Sequence, residues 1–200
     1  MRARQSVDVS QVPELAFGSR STPFWGTFGL IVTEGMIFVL LLVTYYYLRG
    51  RSQEWPPGVL PPYLVWGTIN LALLLISAVP NQWYRKRAEQ IDSRGTLIGL
   101  AIVSVLGLIM LGVRTLEFRS LNVRYDANAY GSIVWAILGF HTAHLLTDLA
   151  DTILIALVFF FGPLEKKRFM DASDNAMYWW FVVVVWIPVY ITIYLAPMWM

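Results

Sequence analysis

Residues 96–118 read TLIGLAIVSVLGLIMLGVRTLEF. From Thr96 to Val113 no side chain carries a charge, and Arg114 is the first that does. A helix crosses a bilayer with roughly 20 mostly apolar residues, and this stretch meets that length. Four other stretches have the same character. The predicted spans are about 24–48, 63–84, 96–118, 131–162 and 177–197. The fourth is longer than a crossing needs, so it is expected to tilt or to protrude past the headgroups. Pro-rich EWPPGVLPPY (54–63) separates the first two spans and GPLEKKRF (162–169) ends the fourth. Both are breaker-rich stretches at which helices stop.

Composition agrees with the spans. Of 200 residues, 57% are hydrophobic and 14% charged, against about 25% charged in a typical soluble domain. The mean hydropathy is +0.57, and the charges lie in short clusters between apolar runs. The fold class that follows is an all-α integral membrane protein, a single bundle of five transmembrane helices over residues 23–200 behind a polar lead-in at 1–22. There is no cysteine, which excludes disulfides, thiolate metal sites and cysteine nucleophiles. A net charge of +2 is too small to suggest nucleic acid as a partner. The opening MRARQSVDVSQVPELAFGSRSTP (1–23) lacks the apolar core of a signal peptide. No inverted pair of broken helices, Gly-rich phosphate loop or serine–histidine–acid arrangement is evident, so any chemistry must come from polar residues inside the spans.

Lys and Arg set the orientation, because cytoplasmic loops carry the excess. One side holds Arg2, Arg4, Arg20, Arg85, Lys86, Arg87, Arg94, Lys166, Lys167 and Arg168; the other holds Arg49, Arg51, Arg119 and Arg124. The N-terminus is therefore expected inside and the C-terminus outside. Trp25, Trp55, Trp83, Trp179 and Trp199 fall near predicted span ends, as an interfacial aromatic belt would place them.

Glu34, in IVTEGMIF, lies about ten residues into the first span, on the order of 15 Å deep. A charged side chain at mid-bilayer costs about 2.5–3.5 kcal/mol on insertion scales, so Glu34 should face protein or water. It is either a proton-exchanging carboxyl or a neutral acid hydrogen-bonded between two helices. Arg114 and Glu117, three apart in GVRTLEF, form an ion pair or snorkel to headgroups, with a lipid phosphate as a candidate contact for Arg114. Arg114, Trp25 and Arg85 are the candidate lipid-binding residues. Asn70 and Ser77 in the second span are expected to hydrogen-bond between helices.

The fourth span contains GFHTAHLLTDLADTIL (139–154). His141, His144, Asp148 and Asp151 fall at helical offsets along one face. Such a stripe could bind zinc or iron, relay protons, or form a polar seam against a neighbouring helix. The histidines are three apart with Thr142 and Ala143 between them, unlike the H-E-x-x-H zinc pair. The stripe also spans about 15 Å of helix, too far for all four side chains to reach one ion with bonds near 2 Å.

Three stretches carry a family resemblance. FWGTFGLIVTEGMIFVLLLVTYYYLRG (24–50) resembles the helix of cytochrome c oxidase subunit III that has a Ser/Thr-Glu-x-Met-x-Phe pattern after a Trp-Gly start. AYGSIVWAILGFHTAHLL (129–146) is similar to that family's GS…GFHGLHV helix, with both histidines kept. MYWWFVVVVWIPVYITIYLAP (177–197) is similar to its closing YWHFVDVVW…IY helix. The resemblance runs from about residue 23 to 197.

The resemblance implies a subunit that holds no haem and no copper itself, these cofactors belonging to partner subunits. It implies packing beside the catalytic subunit I of a haem-copper oxidase, with subunit II and further small subunits nearby. It also implies retained structural phospholipids and support of proton uptake, in a bacterial plasma membrane. Long members have seven helices, and this chain looks like a five-helix form without the first two, which puts the family's lipid-filled cleft in doubt. By position, Glu34, His141, His144 and Glu117 match polar residues of the family. Trp180 and Val183 stand where the family has histidine and aspartate. Asp148 and Asp151 are outside the pattern, which raises the idea that a buried acid has moved from the fifth span to Asp151.

The leading reading is a non-catalytic subunit III of an aerobic terminal oxidase, with cytochrome c preferred to quinol as donor. The alternatives are a companion subunit of a quinol oxidase or nitric oxide reductase, an intramembrane metalloenzyme on the fourth span, and a small proton carrier using Glu34 and Asp151. Because the two histidines match subunits without a redox metal, no metal site is expected. His144 and Asp148 should hydrogen-bond locally or to adjacent helices, and Asp151 should find a separate partner.

Overall fold

The computed structural model describes residues 16–163 and 165–199, and these are all-helical with short connections. Arg2, Arg4 and most of the predicted lead-in lie outside the described residues. A single 3-10 turn, Gly18–Arg20, precedes α1 (Thr22–Gly50); α2 (Leu64–Glu89), α3 (Ser93–Arg119), α4 (Ala129–Phe161) and α5 (Lys166–Tyr190) follow. The last helix runs on through a π-helical turn, Ile191–Leu195, into α6 (Ala196–Trp199). Five helices are long and apolar enough to cross a membrane, the fifth over Lys166–Met198, so the chain is a multi-pass membrane protein.

Local chemistry sets the helix starts. Ser21 Oγ accepts from Phe24 N at 3.4 Å, Asp92 Oδ1 from Gly95 N at 3.1 Å and Asn128 Oδ1 from Gly131 N at 2.8 Å. Each side chain satisfies one of the donors that a helix N-terminus leaves free. Pro80 and Pro188 lie inside helices, a placement membrane helices tolerate because neighbours and local π adjustments re-satisfy the freed groups. The π turn starting three residues after Pro188 is such an adjustment.

Helix α5 is the hub. It packs on α1, α2 and α4, while α3 joins α2 to α4. Half of its most apolar window is buried within the chain, against 6% for α1. Helix α1 is thus a peripheral stave, held to α4 and α5 along one edge and presenting Leu30, Val32, Val39, Leu40 and Val43 outward. Close approach depends on small residues: a Cβ on Gly67 would stand 2.6 Å from the Tyr194 ring, and one on Gly99 would stand 2.3 Å from Tyr84 Cβ.

Two expectations change. The last helix begins at Lys166 rather than near 177, because Phe169, Ala172, Ser173 and Ala176 are buried at helical spacing within a polar-looking sequence. Trp179 is therefore not interfacial: it is fully buried, and its Nε1 donates to Ser77 Oγ at 2.9 Å. Trp25 stays 57% exposed at the start of α1, and the Trp199 side chain is outside the described set.

Candidate functional site

The polar residues of the spans form two separate networks. The first centres on Glu117, fully buried near the end of α3. Its Oε2 accepts from Arg114 Nη1 at 2.7 Å and from Asn70 Nδ2 at 2.7 Å, and its Oε1 accepts from Tyr194 OH. The Arg114 guanidinium lies 4.0 Å over the Trp186 ring, within cation–π range. Its Nη2 meets His141 Nδ1 at 3.0 Å, and His141 Nε2 meets Val182 O at 3.1 Å. Arginine only donates and a carbonyl only accepts, so the partners assign His141 as the tautomer with hydrogen on Nε2. One carboxylate and one guanidinium thus tie α2, α3, α4 and α5 together.

This corrects the reading of Arg114 as a lipid contact. Its side chain is 1% exposed and paired with Glu117, so of the two sequence alternatives the ion pair holds and the headgroup contact does not. Rotation about the helix axis, rather than closeness to the span end, decides where it points. Asn70 and Ser77 make the expected interhelical hydrogen bonds.

The second network lies toward the other end of the bundle. Tyr178 OH on α5 donates to Glu34 Oε2 on α1. His144 Nε2 on α4 stands 3.4 Å from that same oxygen, and His144 Nδ1 donates to Phe140 O at 2.5 Å. Glu34 therefore bridges three helices. One turn further along α4, Asp148 Oδ1 accepts from Asn175 Nδ2 at 3.0 Å, and Asn175 Oδ1 in turn accepts from Tyr84 OH at 3.0 Å. Three exchangeable groups, Tyr178, Glu34 and His144, lie in contact across the helices, an arrangement able to share or pass a proton.

The stripe on α4 is divided. His141 belongs to the Glu117 network, His144 and Asp148 to the second, and Asp151 is exposed, with no hydrogen bond or ion pair among the described residues. The described residues do not supply the separate partner expected for Asp151. Nor does Asp151 replace an acid at position 183. The pairs His141–Val182 and Asp148–Asn175 fix the antiparallel register of α4 and α5, and in that register Asp151 lies beyond Asn175, more than two turns from Val183. The idea of relocation fails because α5 starts eleven residues sooner than its apolar run, which sets position 183 deep inside the helix.

Glu34, Asp148 and Asp151 also line a cleft of about 730 Å³ between α1, α4 and α5, together with Asp171, Asp174 and Tyr178. Sequence reading did not single out Asp171, Asp174, Asn175, Tyr178 or Tyr84. The first three sit in the segment left out of the fifth span, and a tyrosine in an apolar run gives no sign of its partner. Among the described residues no group of three or more His, Asp and Glu is placed to hold a metal ion. Both nitrogens of each histidine already face protein groups. Arg85 pairs with Glu89 at 3.2 Å, its side chain 26% exposed.

The family model of cytochrome c oxidase subunit III matches residues 20–199, a range that contains both networks and all five long helices. The cytochrome c oxidase subunit 3 of Myxine glutinosa is 30% identical over 181 residues, covering 85% of this chain and 68% of that one. The protein of the same name from Thermostichus vulcanus is 23% identical over 173 residues and 85% of each chain. That of Corynebacterium diphtheriae is 28% identical over 180 residues, 84% of this chain and 85% of its own. A match along nine-tenths of the sequence, with Glu34, Glu117, His141 and His144 all set in buried or bridging positions, leaves one assignment: the chain belongs to the cytochrome c oxidase subunit III family.

Proposed function

We propose that the chain is the non-catalytic third subunit of an aerobic haem-copper terminal oxidase in a bacterial plasma membrane. In this reading it packs against the catalytic subunit I, close to subunit II, retains phospholipids and supports proton uptake while oxygen is reduced to water with electrons from cytochrome c. Haem and copper reside in the partner subunits. The observation that carries the reading is the family match along residues 20–199. Two features of the fold support it. The Glu117 and Glu34 networks tie helices together, as in a scaffold, and α1 leaves most of its apolar surface uncovered by its own chain.

Affinity purification through a tag on this chain, from gently solubilised membranes, tests the proposal. The expected product shows a haem difference spectrum and cytochrome c-driven oxygen uptake, and both stay with the partners when this chain is stripped away. A chain that carries haem or oxygen-reducing activity by itself would overturn it. Quinol-driven oxygen uptake, or consumption of nitric oxide, would move the chain to a different host complex.

A further inference from the structure

The end of the bundle away from the acidic cleft carries more positive charge than its own acids balance. Two connections meet there, residues 51–63 after α1 and residues 120–128 between α3 and α4. Asn122 Nδ2 donates to Pro61 O at 2.9 Å, and Trp55 packs edge-on against Tyr45 and Tyr130 with ring centroids 5.3 and 5.1 Å away. The two connections therefore form one braced face. Four arginines (Arg49, Arg51, Arg119 and Arg124) and two acids (Glu54 and Asp126) belong to it. Arg124 is closed by Asp126 through two contacts of 3.1 Å, and Arg51 meets the neutral Tyr47 side chain. Arg49 and Arg119 have no hydrogen bond or ion pair among the described residues. The Tyr45 phenol within the field of Arg49 is a neutral group and does not balance it.

Arg49 lines a cavity of about 350 Å³ with Tyr46, Gly50, Ser52, Gln53 and Trp55, and Gln53 stands exposed at its rim. No described acid lines it. Its two hydroxyls are engaged, Tyr46 OH with Thr192 Oγ1 at 3.2 Å and Ser52 Oγ donating to Glu54 O at 2.5 Å. The guanidinium thus finds no opposite charge in its own wall, and a carboxylate answers it best, through two parallel hydrogen bonds. The setting says that the carboxylate arrives on a protein. Trp25 to Arg49 is about 36 Å of helix, longer than the ~30 Å hydrocarbon core, so this face stands beyond the lipid tails. Leu60, Tyr63 and Tyr125 are nevertheless 72%, 60% and 59% exposed on it. Tyrosine and arginine are enriched where proteins meet, and apolar side chains exposed outside the tails mark a surface that a partner covers. We propose that this face docks the extramembrane part of a neighbouring subunit, with an aspartate or glutamate of that subunit entering the cavity to pair with Arg49. Only the identity of that subunit rests on the host complex proposed above.

The test uses the full chain purified with its partners. The three lysines of the chain, Lys86, Lys166 and Lys167, all lie at the other end of the bundle. Arg49→Lys therefore keeps the charge and places a unique amine in the cavity, and a carbodiimide joins an amine to a carboxylate in contact with it. The expected product links position 49 to an acid of another subunit, located by peptide mass spectrometry. Arg124→Lys, beside Asp126, should cross-link within the chain and is the positive control. Arg49→Glu should release the chain from the complex about tenfold faster on dilution in detergent, the worth of roughly one charge-assisted hydrogen bond. A link from position 49 to Glu54 alone, with the release rate of Arg49→Glu unchanged, would overturn the proposal. So would a phosphatidylglycerol lost from Arg49→Gln in native mass spectra at an unchanged release rate, which would give the cavity to a headgroup. Protection of the amine by added succinate, with no link to any subunit, would assign a free dicarboxylate and overturn docking. A complex that keeps its haem-bearing partners but yields no link ends the docking site and leaves the host reading standing. A link to an acid of a haem-free complex does the reverse.

Discussion

Glu117 and Glu34 are both carboxyls within helices of an apolar bundle, yet they meet opposite surroundings. Glu117 is enclosed, with donors on both oxygens; Glu34 lines a cleft and its side chain is 22% exposed. Removing one member of a buried ion pair leaves the other uncompensated, which costs about 3–5 kcal/mol. Arg114→Met is therefore expected to lower thermal stability by about that amount, and adding Glu117→Met should restore part of the loss, since neither charge then remains. Thermal melts in detergent of both single variants and the double variant read the coupling. Glu34→Gln keeps an oxygen that can accept from Tyr178, so assembly should survive with a change of about 1 kcal/mol or less. Glu34→Ala should cost more and loosen α1. Proton uptake lost in an intact Glu34→Gln complex would show instead that Glu34 exchanges protons. At this scale the sequence announces which residues need partners, because an ionisable or amide side chain in an apolar span is expensive wherever it lies. It does not announce the partners. Tyr178, Tyr194 and Trp186 sit in a helix apolar on most sides, where no periodicity separates a hydrogen-bonding aromatic from a packing one.

The elements were legible where hydropathy defines them and not where it fails. The apolar runs locate α1 to α4 to within a few residues, apart from the polar extension of α2 through Arg85–Glu89. The first eleven residues of α5 escape because composition hides them: KKRFMDASDNA is polar overall, and only its buried stripe of Phe169, Ala172 and Ala176 marks it as helix. The turn joining α2 to α3 holds another feature with no sequence signal. Ile91 has φ 59°, a left-handed conformation that costs a side chain with a branched Cβ about 1–2 kcal/mol. Ile91 N donates to Ala88 O at 2.9 Å and Asp92 N to Arg87 O at 3.0 Å, so hydrogen bonds hold the turn in that shape. The Ile91 side chain is 46% exposed and contributes little packing. Ile91→Gly is expected to raise stability by about 1 kcal/mol, seen as a higher melting temperature. Gly67→Ala should act in the opposite direction. Its Cβ would meet the Tyr194 ring at 2.6 Å, and moving that ring pulls its hydroxyl away from Glu117. The expected loss is about 1–3 kcal/mol, the usual cost of overpacking.

Across the whole molecule, the alternation of five helices sorts the basic residues by end. Arg20, Arg85, Lys86, Arg87, Arg94, Lys166, Lys167 and Arg168 gather at the end that holds the start of α1 and the α2–α3 and α4–α5 turns; Arg49, Arg51, Arg119 and Arg124 lie at the other. Several of the first group are paired with acids, as Arg85 is with Glu89 and Arg87 with Asp92. Acidic residues contribute little to orientation, so such pairing does not weaken the bias. The end rich in Lys and Arg is therefore expected to face the cytoplasm, with the acidic cleft opening toward it and the Glu117 network nearer the outside. The chain has no cysteine, so a single introduced one is a unique label. Gln90 is exposed in the α2–α3 turn and Gln53 in the segment between α1 and α2, at opposite ends of the bundle. An impermeant maleimide applied to spheroplasts should label Gln53→Cys at once and Gln90→Cys only after the membrane is opened. The reverse pattern would invert the bundle. It would then place the cleft and Glu34 on the outer side, where a role in proton uptake from the cytoplasm could not be sustained.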